Sequence, residues 1–93
     1  MTKRRSKMLI LRDILNIIRR ENGKAKPTHI LYGANLSHDR LMGYLIFLMD
    51  NDFIKKEEED GKIFYTITTK GHKYLSGFKK MENFFEAFGV NIN

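Results

Sequence analysis

Hydrophobic positions recur along this chain at two periods. Leu9, Ile10, Leu11, Ile14, Leu15, Ile17 and Ile18 make a wide stripe at helical spacing, with Arg12, Asp13, Arg19 and Arg20 on the remaining face or at its end. The spacing predicts a first helix from a Ser6 cap to about Asn22, stopped by Gly23. Arg19 and Arg20 suit the negative end of its dipole. Lys24-Ala25-Lys26-Pro27 is a short extended link, in place for a small third strand. Pro27 and Thr28 open a short helix, His29 to about Gly33, and Gly33-Ala34-Asn35-Leu36 reads as a turn. Ser37 then caps a longer helix to about Asn51, with Asp39 in its first turn. At ~100° per residue, Leu41, Tyr44, Leu45, Leu48 and Met49 share its core side. Asp39, Arg40, Gly43, Ile46, Phe47 and Asp50 share the other side.

The period then changes to two. Phe53-Ile54-Lys55-Lys56-Glu57 reads as one strand, and Lys62 to Thr68 as its partner, where Ile63, Tyr65 and Ile67 alternate with Phe64, Thr66 and Thr68. Glu58-Glu59-Asp60-Gly61 joins them, and Asp-Gly is a strong hairpin signal. Thr69 is placed as the cap of a final helix to about Phe88, stopping at Gly89, with residues 90–93 frayed. Tyr74, Phe78, Met81, Phe85 and Phe88 recur in it at heptad spacing, with Leu75 and Phe84 alongside.

Helix, helix, helix, hairpin is the winged helix-turn-helix order, an α+β fold class, here followed by a long helix. The expected division is a flexible basic arm at 1–5, a winged domain at 6–68, and a C-terminal dimerisation helix with a short tail at 69–93. A helix of ~20 residues is ~30 Å long. That exceeds what a small winged domain needs, so a homodimer through the heptad seam is expected.

Charge changes the picture. The chain of 93 residues carries a formal +6, which favours polyanionic partners. Residues 1–26 hold nine Lys and Arg against two acids, whereas residues 27–52 set one Arg against three Asp. The helix expected to meet DNA is therefore not basic. Candidate double-stranded DNA contacts are Ser37, His38 and Arg40 at the start of the third helix, where Arg suits guanine O6 and N7. Lys55, Lys56 and Lys62 flank the wing, and Lys3, Arg4, Arg5 and Lys7 form a basic cluster for phosphates or a minor groove. The wing tip, Glu57 to Asp60, is acidic. A protein-interaction module using Ile46, Phe47 and the C-terminal aromatics, or an RNA-binding protein using the same arm, are the competing readings.

Little else is open. There is no cysteine, and His29, His38 and His72 lack metal-ligand spacing, so no metal or cofactor is expected. No phosphate-binding glycine loop or nucleophile motif is present, so no enzymatic activity is expected. No apolar run approaches the ~18–20 residues that span a bilayer. The expected setting is cytoplasmic, associated with the nucleoid, with no membrane or small-molecule partner.

Tyr32-Gly33-Ala34-Asn35-Leu36-Ser37 resembles the small archaeal winged-helix DNA-binding chromosomal proteins of the "ten-a" type. Tyr44-Leu45, Leu48-Met49-Asp50, Ile54 and Thr69-Lys70-Gly71 extend the likeness from about Ser6 to Phe85. The resemblance implies a winged helix-turn-helix that dimerises through an antiparallel coiled coil of C-terminal helices. It also implies DNA binding with little sequence preference, in chromosome organisation or regulation. The dimer seam it implies maps onto Tyr74, Phe78, Met81, Phe85 and Phe88. Family members often carry basic residues on the third helix, where this chain has Gly43 and Ile46, and the wing here is longer and acidic.

Overall fold

The computed structural model describes residues 6–89. The expected arm at 1–5 and the frayed tail at 90–93 lie outside the described residues. Four helices and three strands run in the order α1 (Lys7–Arg20), β1 (Lys24–Ala25), α2 (Pro27–Ala34), α3 (His38–Asp50), β2 (Ile54–Glu59), β3 (Lys62–Ile67) and α4 (Thr69–Ala87). This is a winged helix: three helices, a small antiparallel sheet in the order β1-β3-β2, and a long closing helix.

The core is built around α1. Its sequence places seven apolar residues on a face too wide for a solvated helix, and all seven are buried. Ile14, Leu15 and Ile18 have no exposed surface. Around them pack Ile30 and Ala34 of α2, Leu41, Leu45 and Leu48 of α3, Ile54 and Tyr65 of the sheet, and Leu75 of α4. Ser6 caps α1, its hydroxyl accepting from Leu9 N–H at 3.2 Å. The helix ends two residues earlier than its apolar period suggests, because Asn22 and Gly23 both take positive φ. α2 starts earlier than expected, at Pro27, whose fixed φ and missing N–H suit a first helical position. Asn35, left-handed at φ 54°, ends it.

The hairpin register is set by a two-residue turn. Glu59 pairs with Lys62, leaving Asp60 (φ 50°) and Gly61 (φ 75°) as the loop. Positive φ at both positions matches the right-handed twist of the strands, and Asp-Gly tolerates it best. The expected loop was wider, and Glu58 and Glu59 belong to the strand instead. β1 pairs with β3 through Lys24–Thr66 and Ala25–Tyr65, so the link before Pro27 does supply the third strand.

Thr68, not Thr69, caps α4. Its hydroxyl oxygen accepts from Gly71 N–H at 3.1 Å and lies 2.6 Å from the Asp52 carbonyl and 3.0 Å from that of Phe53. The one side chain thus ties the end of α3 to the start of α4. Gly71 is required there, since a Cβ would run into the Phe53 carbonyl oxygen. The first half of α4 packs back on α1. Leu75 and Phe78 are buried, and the Tyr74 hydroxyl donates to the Met8 carbonyl at 3.0 Å. Arg12 bridges the same helices, 3.0 Å from Glu82 and over the Phe78 ring at 5.2 Å. Beyond this, Phe84 and Phe88 are 60% and 70% exposed.

Candidate nucleic-acid interface

The face of α3 turned away from the core is defined by its cap and its apolar spacing. Ser37 accepts from Arg40 N–H at 3.3 Å, fixing the first turn. Burial of Leu41, Leu45 and Leu48 then turns His38, Asp39, Arg40, Gly43, Ile46 and Asp50 to solvent. His38 Nδ1 lies 3.7 Å from an Asp39 carboxylate oxygen, with both side chains exposed. The Ser37 hydroxyl is engaged in the cap, while the Arg40 side chain is exposed.

Lys7 completes this face from another helix. Its Nζ lies 3.8 Å from the centroid of the Phe47 ring. A groove of about 340 Å³ runs between them, lined by Lys7, Asp39, Arg40, Gly43, Tyr44 and Phe47. Phe47 was expected on the open side of α3. It is instead half-buried, packed against the core on one side and covered by Lys7 on the other. Tyr44, expected in the core, is half-buried at the groove wall. Ile46 is the large apolar residue that α3 leaves open, at 51% exposure.

The wing separates residues that sequence order groups together. Strand alternation puts Lys56 on the side of buried Ile54 and Tyr65. Lys55 goes to the opposite face, with Lys62 across the ladder and Lys24 on β1. Lys55, Lys56 and Lys62 are exposed. One of the wing acids is neutralised from β1: Lys24 Nζ lies 2.6 Å from Glu59 Oε1 and 4.4 Å from the Phe64 ring centroid. The acidic tip is thus partly offset by Lys24, a residue of the third strand that was not among the expected DNA contacts. The signal that could have found Lys24 is a basic residue opening the short extended link before Pro27, which lies beside the strand that pairs with β2.

The structure therefore brings Lys7 and Arg40 to one groove, and leaves Lys55, Lys56 and Lys62 on a separate element. Lys3, Arg4 and Arg5 lie outside the described residues. Of the expected dimer seam, Phe78 is buried within its own chain, Tyr74, Met81 and Phe85 are half-buried, and Phe88 is exposed. Among the described residues no group of His, Asp or Glu is placed to hold a metal ion, and no helix is long and apolar enough to cross a membrane.

Comparison with known proteins agrees with the winged-helix fold. The protein MJ0290 of Methanocaldococcus jannaschii, itself uncharacterised, is 38% identical over 78 residues, which is 84% of this chain and 34% of that protein. The chain thus spans about a third of the length of that relative. Among solved structures, Sso10a-2, a DNA-binding protein from Sulfolobus solfataricus, superposes with a TM-score of 0.74 at 27% identity over 91% of this chain and 90% of its own. That likeness accords with the resemblance carried by Tyr32–Ser37. F93 from STIV, a winged-helix DNA-binding protein, shares the fold at a TM-score of 0.71, with 14% identity over 84% of this chain and 90% of its own. A winged helix-turn-helix family model matches residues 4–86, nearly the whole chain, and the protein belongs to that family.

Proposed function

We propose that the protein is a homodimeric winged-helix DNA-binding protein, acting as a chromosome-architectural or transcriptional regulator. The observation that carries the reading is the pairing of Lys7 with Arg40 around the exposed groove of α3, in a fold shared over nine-tenths of the chain with a DNA-binding protein. In this reading α3 lies in the major groove and the wing approaches the backbone. Because α3 itself carries few cations, affinity comes largely from phosphate neutralisation by Lys7, Arg40 and the wing lysines Lys55, Lys56 and Lys62. Lys3, Arg4 and Arg5 add to it, and Ser37 and His38 stand at the helix end nearest the bases.

Dimerisation is part of the proposal. The second half of α4 carries Met81, Phe84 and Phe85, with Phe88 at its C-cap, beyond the helix's packing on α1, an aromatic surface that a second copy of the helix would cover. Two winged domains joined by helices of ~30 Å then reach sites about one helical turn, ~34–36 Å, apart. Nucleoid association in the cytoplasm follows from this role, and it involves no catalysis.

The test is binding to specific and random duplexes across a salt series, with the mass of the complex measured in solution. The expected result is a steep fall in affinity with salt and a stoichiometry of two chains per site. No retention of DNA at low salt would overturn the reading in favour of a protein-interaction module. Preference for RNA over duplex DNA in competition would overturn it in favour of an RNA-binding protein.

A further inference from the structure

Gly43 stands in the middle of the open face of α3, where glycine is disfavoured against alanine. Two other helical glycines have reasons inside the chain. A Cβ at Gly33 would lie 2.9 Å from Ile17 Cδ1, and one at Gly71 would meet the Phe53 carbonyl. A Cβ at Gly43 would meet nothing within 4 Å. Gly77 in α4 is open in the same way. The space over Gly43 is open, so no contact inside the chain accounts for this glycine.

Its surroundings say what kind of surface fits. Ile46 lies three residues on, on the same helical face, with half its surface exposed. Asp39 and Asp50 close the stripe at its two ends, both exposed. Phosphate oxygens are repelled by those carboxylates, whereas base edges carry no net charge. Lys7 and Arg40 line the groove that contains Gly43, together with Asp39, Tyr44 and Phe47, so cations for phosphates stand beside the Gly43 and Ile46 stripe. Among the groups that base pairs display in the major groove, the apolar one is the C5-methyl of thymine.

We propose that Gly43 and Ile46 form an uncharged platform on α3 that packs against thymine methyl groups in the major groove, giving the protein a preference for thymine-bearing duplexes. This rests on the DNA-binding reading above and deepens it. Gly43 lets the helix backbone approach the base edge, and Ile46 supplies the apolar contact. Neither side chain offers a hydrogen bond to a base, so the preference is graded across sequences.

The experiment measures binding of the full chain to duplex pairs that are identical except that uracil replaces thymine. The exchange removes the methyl and keeps pairing and phosphates. Expected is a loss of about fourfold for each methyl in contact, with the salt dependence unchanged. Gly43→Ala should raise the thermal midpoint, weaken binding to the thymine duplex and shrink the thymine–uracil difference. Ile46→Ala should shrink that difference as well. Equal affinity of the native protein for both duplexes overturns the platform and leaves DNA binding standing. A Gly43→Ala protein that keeps the full difference also overturns it. Failure to bind either duplex at low salt overturns the platform together with the DNA-binding reading.

Discussion

The Lys7 ammonium rests 3.8 Å from the centroid of the Phe47 ring, joining the first residue of α1 to the outward side of α3 across 40 positions of sequence. An ammonium over an aromatic face is held by the ring quadrupole, worth about 0.5–1 kcal/mol at an exposed site. The contact shields one face of Phe47 from water and holds a cation beside a helix that has few of its own.

Lys7→Gln should therefore act on binding more than on stability. The salt dependence of DNA affinity should lose about one unit of slope, as when one phosphate contact is removed. The cost to folding should stay below about 1 kcal/mol. Salt-titrated anisotropy and chemical denaturation measure the two quantities on the same sample. An unchanged slope would mean that Lys7 serves Phe47 alone.

Thr68 makes a sharper stability prediction. Thr68→Val keeps the shape but removes the acceptor for Gly71 N–H and the donor facing the Asp52 and Phe53 carbonyls. The expected loss is about 1–2 kcal/mol, the range for a helix cap. Thr69→Val, one residue on and exposed, should cost about 0.5 kcal/mol or less. Urea unfolding of the two variants separates the real cap from the one that sequence order suggests.

The elements legible in the sequence were those whose causes are local. Ser6 and Ser37 cap helices within three residues, and Asp60-Gly61 sets its turn from its own backbone preferences. What was not legible depends on distant pairs. Nothing in the periodicity of α3 says that Lys7 covers Phe47, or that Lys24 reaches Glu59 across the sheet. The heptad run in α4 is a related case. Spacing shows that Tyr74 and Phe78 face something apolar, but not whose it is, and here their neighbours include Met8, Arg12 and Phe53 of the same chain. Lys55 and Lys56 are adjacent in sequence yet on opposite sheet faces, because the strand period inverts every step.

Burial pushes the phenols of Tyr65 and Tyr74 above the ordinary value of 10.0, with Arg12 drawing Tyr74 part of the way back. The sign follows directly. As pH rises past 10.0, the unfolded chain releases these protons before the folded one does, so unfolding gains. Stability linked to the two groups is fully present below pH 10.0 and declines as pH rises through their folded values. Denaturation midpoints measured on either side of pH 10 should fall in the native protein. They should fall less in Tyr65→Phe, which removes the group shifted by burial alone.

The exposed end of α4 carries the prediction about assembly. Phe84 and Phe88 meet at a tilt, with ring planes 47° apart and centroids 5.0 Å apart, and Phe84 meets Phe85 edge-on at 5.7 Å, yet Phe84 and Phe88 remain largely open to water. Tyr74 and Phe78 are engaged with their own chain, so a seam between two copies should run through Gly77, Met81, Phe84 and Phe88, spaced four, three and four residues apart. A carboxylate in that seam is desolvated against aromatic rings without a partner. Phe84→Glu should therefore convert the proposed dimer to monomer, raising its dissociation constant by at least about a hundredfold. The monomer's core should stay intact, because no buried contact is removed. Sedimentation equilibrium reads the mass, and circular dichroism checks that the winged domain still folds. A Phe78→Glu protein is the contrast, since that side chain is buried under Arg12 within one chain and its loss should unfold the domain. If Phe84→Glu keeps the native mass, the second copy does not cover this part of α4.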